Sequence, residues 1–138
     1  MALPGRLFCD TSFFYACLDP QDSNHERAEE LTVDAVTSAT TLVTTWDIIS
    51  ETVTLLRYRK GFRSASTFLD EVKPNLSIVD YGQRVRDEAE QIFRRRSRSR
   101  RVSFCDSISF VVVRTVLSDM PCLAFDRDFR ALGLTVIS

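Results

Sequence analysis

The chain has 138 residues, 44% of them hydrophobic and 27% charged, with a formal net charge of −1. That length suits a single domain, residues 1–138, which can bury roughly two-thirds of its unfolded surface without staples. The composition excludes wholesale disorder and a fibrous fold, and no apolar stretch reaches the roughly 18 residues that would cross a bilayer.

The N-terminus has no long apolar core of the secretory kind, so the expected setting is the cytoplasm, with no membrane association. The cysteines, Cys9, Cys17, Cys105 and Cys122, form no CxxC pair and lie in apolar segments. They read as reduced core residues. Charge is unevenly spread: Arg84 to Arg101 holds eight arginines against Asp87, Glu88 and Glu90, a local balance of +5.

In chain order, Arg6-Leu7-Phe8-Cys9 reads as a short apolar strand, ended by Asp10-Thr11-Ser12 and followed at once by the apolar helix Phe13 to Leu18. Asp19 to Asn24 is a turn cluster, because Pro20 fixes φ and Asp, Ser and Asn bond to nearby backbone. His25 to Thr37 carries Ala28, Leu31, Ala35 and Val36 at helical spacing. Thr41 to Thr44 is a β-branched strand. Trp46 to Lys60 is helical by pattern and stopped by Gly61, with Arg57, Arg59 and Lys60 suited to its negative end.

Phe62 to Val72 predicts another helix, Leu76 to Val79 a third strand, and Gln83 onward a helix running through the arginine-rich segment. Val102 to Phe104 interrupts it. Cys105 to Leu117 predicts one further helix, Cys122 to Phe125 a strand, Asp126 to Leu132 a turn with a brief helix, and Leu134 to Ile137 a last strand. Strands alternating with helices indicate an α/β fold with a parallel sheet covered on both faces. In such sheets ligands bind beyond the carboxyl ends of the strands.

Most of the 19 acidic residues lie in polar stretches, but four sit in apolar company. Asp10 and Asp126 each follow an apolar strand. Glu51 falls three residues after Ile48 and four before Leu55, on the stripe that should pack inward. Asp106 opens an apolar helix. Each has a local explanation: Asp10 and Asp126 as helix N-caps, Asp106 as a first-turn acid, Glu51 as a solvent-facing residue. Together they suggest more, because buried carboxylates need partners or a metal and basic neighbours are scarce. Oxygen-only ligands suit Mg²⁺, with Mn²⁺ also possible, and the chemistry implied is phosphodiester hydrolysis.

Here the residues carry a family resemblance. Leu7 to Ser12, Glu51 after Thr44-Thr45-Trp46, Ser103 to Ser107 and Ala124 to Phe129 resemble the four motifs of PIN-domain ribonucleases, in the order and spacing of the compact VapC-like toxins. The resemblance implies a three-layer α/β/α sandwich with a five-stranded parallel sheet of order 3-2-1-4-5. It also implies metal-dependent endoribonuclease activity, a homodimer, and a cognate antitoxin. By motif, Asp10, Glu51, Asp106 and Asp126 would form the acidic, metal-holding cluster, with Thr11 or Ser12 hydrogen-bonding the first of them. Asp128 falls in the last motif with its role open. Two other readings remain: a non-catalytic RNA- or protein-binding module on the same fold, and a PIN nuclease of RNA processing without an antitoxin.

Other phosphoryl-transfer families fit less well. A haloacid-dehalogenase-type enzyme would place Asp where Ser12 stands, and a response-regulator receiver would need a late lysine, yet none follows Lys73. Six of the eight residues from Arg94 to Arg101 are arginine. Arg94, Arg98 and Arg101 share one face of the helix expected here and form a phosphate-binding stripe leading toward Asp106. The same stripe could dock an acidic antitoxin segment. His25, the only histidine, reads as a surface residue, which argues against a His-based triad or metal site.

Overall fold

The computed structural model describes residues 1–138. Five short strands, β1 (Arg6–Cys9), β2 (Thr41–Thr44), β3 (Ser77–Ile78), β4 (Cys122–Leu123) and β5 (Val136–Ile137), form one sheet in the order β3-β2-β1-β4-β5. Every pairing is parallel. This is the order and the all-parallel pairing that the motif resemblance implies. The central strand β1 places Leu7, Phe8 and Cys9 out of solvent altogether, as a strand covered on both faces requires.

Seven helices make the crossovers: α1 (Thr11–Leu18), α2 (His25–Thr37), α3 (Trp46–Arg59), α4 (Phe62–Thr67), α5 (Gln83–Arg96), α6 (Phe104–Val111) and α7 (Arg127–Ala131). The chain winds outward from β1 through β2 to β3, then returns across β1 to β4. Parallel crossovers are right-handed, so this reversal sends α5 and α6 to the opposite face from α1 to α4. It also opens a crevice at the carboxyl ends of β1 and β4. A cluster of 29 buried residues runs through both layers, with Phe14 and Phe68 in tilted contact at 5.3 Å between ring centroids.

Several elements differ from the sequence expectation for identifiable reasons. The helix expected over Phe62 to Val72 is regular only to Thr67, continuing as a wide turn over Phe68–Val72 and a tight one over Lys73–Asn75. Pro74 has no N–H and crowds the carbonyl four residues earlier. The helix expected over Cys105 to Leu117 starts at Phe104 and widens after Val111 into a turn over Val112–Val116, where consecutive β-branched side chains crowd the backbone. The third strand keeps only Ser77 and Ile78. Gly61 does end α3, in a backbone conformation (φ 102°) that disfavours any side chain.

The helix expected to run through the arginine segment ends at Arg96. Ser97 turns the chain by donating its hydroxyl to the Val102 carbonyl at 3.0 Å. Arg94, Arg98 and Arg101 therefore do not share a helical face, because only Arg94 is helical. Like charges one turn apart would oppose an extension. His25 is half-buried rather than freely exposed on the surface. Its side chain is only 18% exposed, with Nδ1 2.7 Å from the Ala16 carbonyl and Nε2 3.2 Å from Glu29, so it pins α2 to α1. All four cysteines are free; Cys9 and Cys122 are buried, whereas Cys17 and Cys105 are half-buried. Burial pushes the Cys17 thiol up to about 11 and that of Cys122 to about 12, so both are protonated near neutrality. No helix is long and apolar enough to cross a membrane.

Candidate active site

The crevice beyond β1 and β4 is a cavity of about 900 Å³, lined by Asp10, Glu51, Asp106, Asp126 and Asp128 together with hydroxyls and three arginines. Each acid is delivered by a local rule. Asp10 ends β1 and caps α1, its Oδ2 accepting the Ser12 N–H at 3.1 Å. Asp126 caps α7 by accepting the Asp128 N–H at 2.9 Å. Asp106 is the third residue of α6 in a capping box: its carboxylate accepts the Ser103 N–H at 3.2 Å, and its own N–H donates to the Ser103 hydroxyl at 3.0 Å. The local explanations of these three acids thus hold, and capping is also what aims them into one crevice. Glu51 reaches it from α3 and is half-buried.

Ser12 ties the two strand ends together. Its hydroxyl donates to Asp10 Oδ2 at 2.7 Å and accepts the N–H groups of Phe125 at 2.9 Å and Asp126 at 3.3 Å. Ser12, not Thr11, is therefore the residue that hydrogen-bonds Asp10. Thr11 instead accepts from the Thr52 hydroxyl at 3.2 Å, which joins α1 to α3 one residue beyond Glu51. With its donor and two acceptor positions all in use, Ser12 cannot be truncated cheaply. Ser12→Ala leaves two backbone N–H groups without that partner and should cost about 1–3 kcal/mol. Equilibrium urea unfolding, with mid-transition shift and slope compared to wild type, checks this.

Asp10 and Asp106 are only 3% and 6% exposed, and no salt bridge reaches any of the five acids. Burial pushes Asp10 up to about 6; the Ser12 hydrogen bonds oppose the rise, while the charges of Glu51 and Asp126 add to it. Asp106 is pushed to about 7, by burial first and then by the Asp10 charge. Asp128 is also raised, by burial and by Asp126, with Arg101 and Arg100 pulling it back. Such shifts are the cost of burying carboxylates, here beside one another and without a counter-charge.

One oxygen from each of Asp106, Asp126 and Asp128 lies within 4.8 Å of the others, a spacing that a single cation could bridge. Asp128 thus belongs to the geometric cluster, a place its sequence left open. A further profile match then decides the family: the PIN domain profile covers residues 7–134. The chain belongs to the PIN domain family. Among solved structures with this PIN fold, Mycobacterium tuberculosis VapC20, a sarcin-ricin loop cleaving toxin, is 27% identical over 94% of this chain and 96% of that one, with a TM-score of 0.80. Neisseria gonorrhoeae FitAcB is 13% identical over 96% of both chains (TM-score 0.71), and Rickettsia felis VapBC2, bound to DNA from its promoter, is 10% identical over 96% and 97% (TM-score 0.67). These last two share the fold. No curated protein matches the sequence.

Part of this PIN cavity is built from residues that the sequence motifs do not mark. Tyr15, Asp22, Asn24, Leu55, Arg59 and Arg127 also line it. For Leu55 and Arg59 a signal was available, since they follow Glu51 by four and eight residues and so share its helical face. Of the three arginines proposed as a stripe, Arg101 lines the cavity, while Arg94 lies away from it and approaches Glu90 at 3.9 Å.

Proposed function

We propose that the chain is a metal-dependent endoribonuclease that hydrolyses RNA phosphodiester bonds, and that it is the toxin of a toxin–antitoxin pair. The observation that carries the reading is the crevice itself: six carboxylates line it, Asp10 and Asp106 almost fully buried, and no salt bridge reaches any of the six. The donor set is all oxygen, which fits Mg²⁺ or Mn²⁺. Asp106, Asp126 and Asp128 would hold such an ion directly, and Asp10 and Glu51 would complete the cluster. When bound, the ion supplies Lewis acidity toward the phosphate and makes water a nucleophile near neutral pH.

The protein's own groups do the positioning. Ser12 fixes the orientation of Asp10 and locks β1 to the start of α7. Ser103 holds the Asp106 carboxylate at the first turn of α6. Thr11 and Thr52 hold α1 against α3, and so hold Glu51 in the wall. Arg101 and its exposed neighbours in the arginine-rich segment supply phosphate contacts that position a strand without reading its sequence.

The likeness to VapC20, a toxin 27% identical to this chain, supports an antitoxin as protein partner. Tyr58 and Phe62, exposed at 87% and 73% on α3 and α4, offer apolar surface for such a partner or for a homodimer. The substrate reading is tested by product chemistry. Water attack on phosphorus with the 3′-oxygen as leaving group should give a 5′-phosphate on the downstream fragment and a free 3′-hydroxyl on the upstream one, whereas attack by the ribose 2′-hydroxyl, expelling the 5′-oxygen, would leave a 2′,3′-cyclic phosphate. Fragments made with Mg²⁺ should therefore be extendable by poly(A) polymerase without phosphatase treatment. Cyclic-phosphate ends would reject the proposed mechanism.

A further inference from the structure

An acidic cavity repels the polyanion it would have to cut, so the placement of its cations carries information. Three arginines line it. Arg101 precedes α6 and Arg127 opens α7, both on the wall that holds Asp126 and Asp128. Arg59 stands on the other wall, at the end of α3. Eight residues at 1.5 Å each put it about 12 Å along the helix from Glu51.

The surroundings of Arg59 leave it free for an outside ligand. Its guanidinium lies over the Tyr15 ring, 5.5 Å from the centroid, an arrangement that orients the group without neutralising it. The Asp19 carboxylate, which shares Tyr15 with Arg59, is already engaged. Asp19 accepts the Tyr15 hydroxyl at 2.8 Å and the Gln21 N–H at 3.0 Å, and it pairs with Lys60 at 3.3 Å. Arg59 itself has neither a salt bridge nor a hydrogen bond to any acid. It is thus a preset, unneutralised fork on the rim of a phosphate-chemistry cavity, and forks of this kind suit phosphate oxygens.

We propose that Arg59 is a substrate-positioning residue that grips a backbone phosphate a few nucleotides from the scissile one, on the far side from Arg101 and Arg127. The RNA strand is then held at two points with the carboxylate floor between them. This rests on the ribonuclease reading above.

The test uses the full chain. Binding of a fluorescent single-stranded RNA is measured by anisotropy over a salt series, in an Asp10→Asn background that prevents turnover; kcat and KM are measured in the otherwise wild-type protein with Mg²⁺. Arg59→Ala should weaken binding about 5–10-fold and reduce the slope of log Kd against log salt by about 0.7, the contribution of one phosphate contact on a single strand. KM should rise by a similar factor while kcat stays within about twofold. Arg59→Lys should keep the salt slope. Arg57→Ala removes the same charge two residues away, outside the cavity, and should leave slope and KM near wild type.

An unchanged slope and KM for Arg59→Ala would overturn the proposal, as would an equal loss for Arg57→Ala, which would make the effect one of overall charge. Wild-type protein that neither binds nor cuts RNA would overturn the ribonuclease reading, and this proposal with it. The two failures are therefore distinct.

Discussion

Asp10→Asn should lower RNA cleavage by about three decades or more while leaving the protein folded and able to bind RNA. The asparagine is nearly isosteric, and its side-chain oxygen can still accept the Ser12 N–H and hydroxyl that Asp10 now accepts at 3.1 and 2.7 Å. The cap of α1 is preserved, so the structural cost is small. What disappears is one negative charge at 3% exposure on the cavity floor. A divalent ion in such a site is worth several kcal/mol of transition-state stabilisation, and about 4 kcal/mol corresponds to a thousandfold in rate. Single-turnover cleavage with Mg²⁺ measures the loss. RNA anisotropy and thermal unfolding of the same variant separate it from misfolding.

The second large effect is on stability. Asp10 and Asp106 titrate at about 6 and about 7 in the folded chain, each against an ordinary 3.8. Between those limits the folded state binds more protons than the unfolded state, so stability falls as pH rises. It is highest below about pH 4 as far as these two groups are concerned, is lost through the range up to about 7, and is flat above. At 1.36 kcal/mol per unit, Asp10 alone contributes on the order of 3 kcal/mol. The two contributions do not simply add, because the Asp10 charge is part of what raises Asp106.

In metal-free buffer the Tm should therefore drop by roughly 10 °C between pH 5 and pH 8. Saturating Mn²⁺ should restore most of it at pH 8, where a hundredfold excess over Kd supplies about 2.7 kcal/mol, and much less at pH 5, where protons compete for the same oxygens. Asp106→Asn should raise the metal-free Tm at pH 8 and blunt the response to Mn²⁺. Calorimetry across pH, with and without metal, reads all three. A metal-free Tm that rose through this range would show that the two carboxylates are not crowded as described.

How far the sequence could be read depends on whether local rules set the position. The convergence of Asp10 and Asp126 was legible because each follows an apolar strand and the strand ends of a parallel sheet share one edge, whereas the sheet order was legible only through the motif resemblance. Asp106 was legible as an acid opening an apolar helix, although the helix-start signature of Ser103 three residues earlier went unused. Asp128 was not, because only the packing of α7 beside the start of α6 brings it within 4.8 Å of Asp106. The arginine run misled for a local reason: nothing in its composition marks Ser97 as the turning point, and the bond that turns it reaches Val102, five residues on. Arg59 was assigned to the helix dipole, which its position also satisfies. Its cavity role depends on Tyr15 from α1, a contact that no spacing within α3 reveals.

The most direct measurement is a time course of labelled total RNA with purified wild-type protein, run in Mg²⁺, in Mn²⁺ and in excess chelator, beside Asp10→Asn. Discrete fragments should accumulate with either metal, vanish with chelator and be absent from the variant. RNA that stays intact with both metals, or cleavage that persists in chelator or with Asp10→Asn at the wild-type rate, would contradict it.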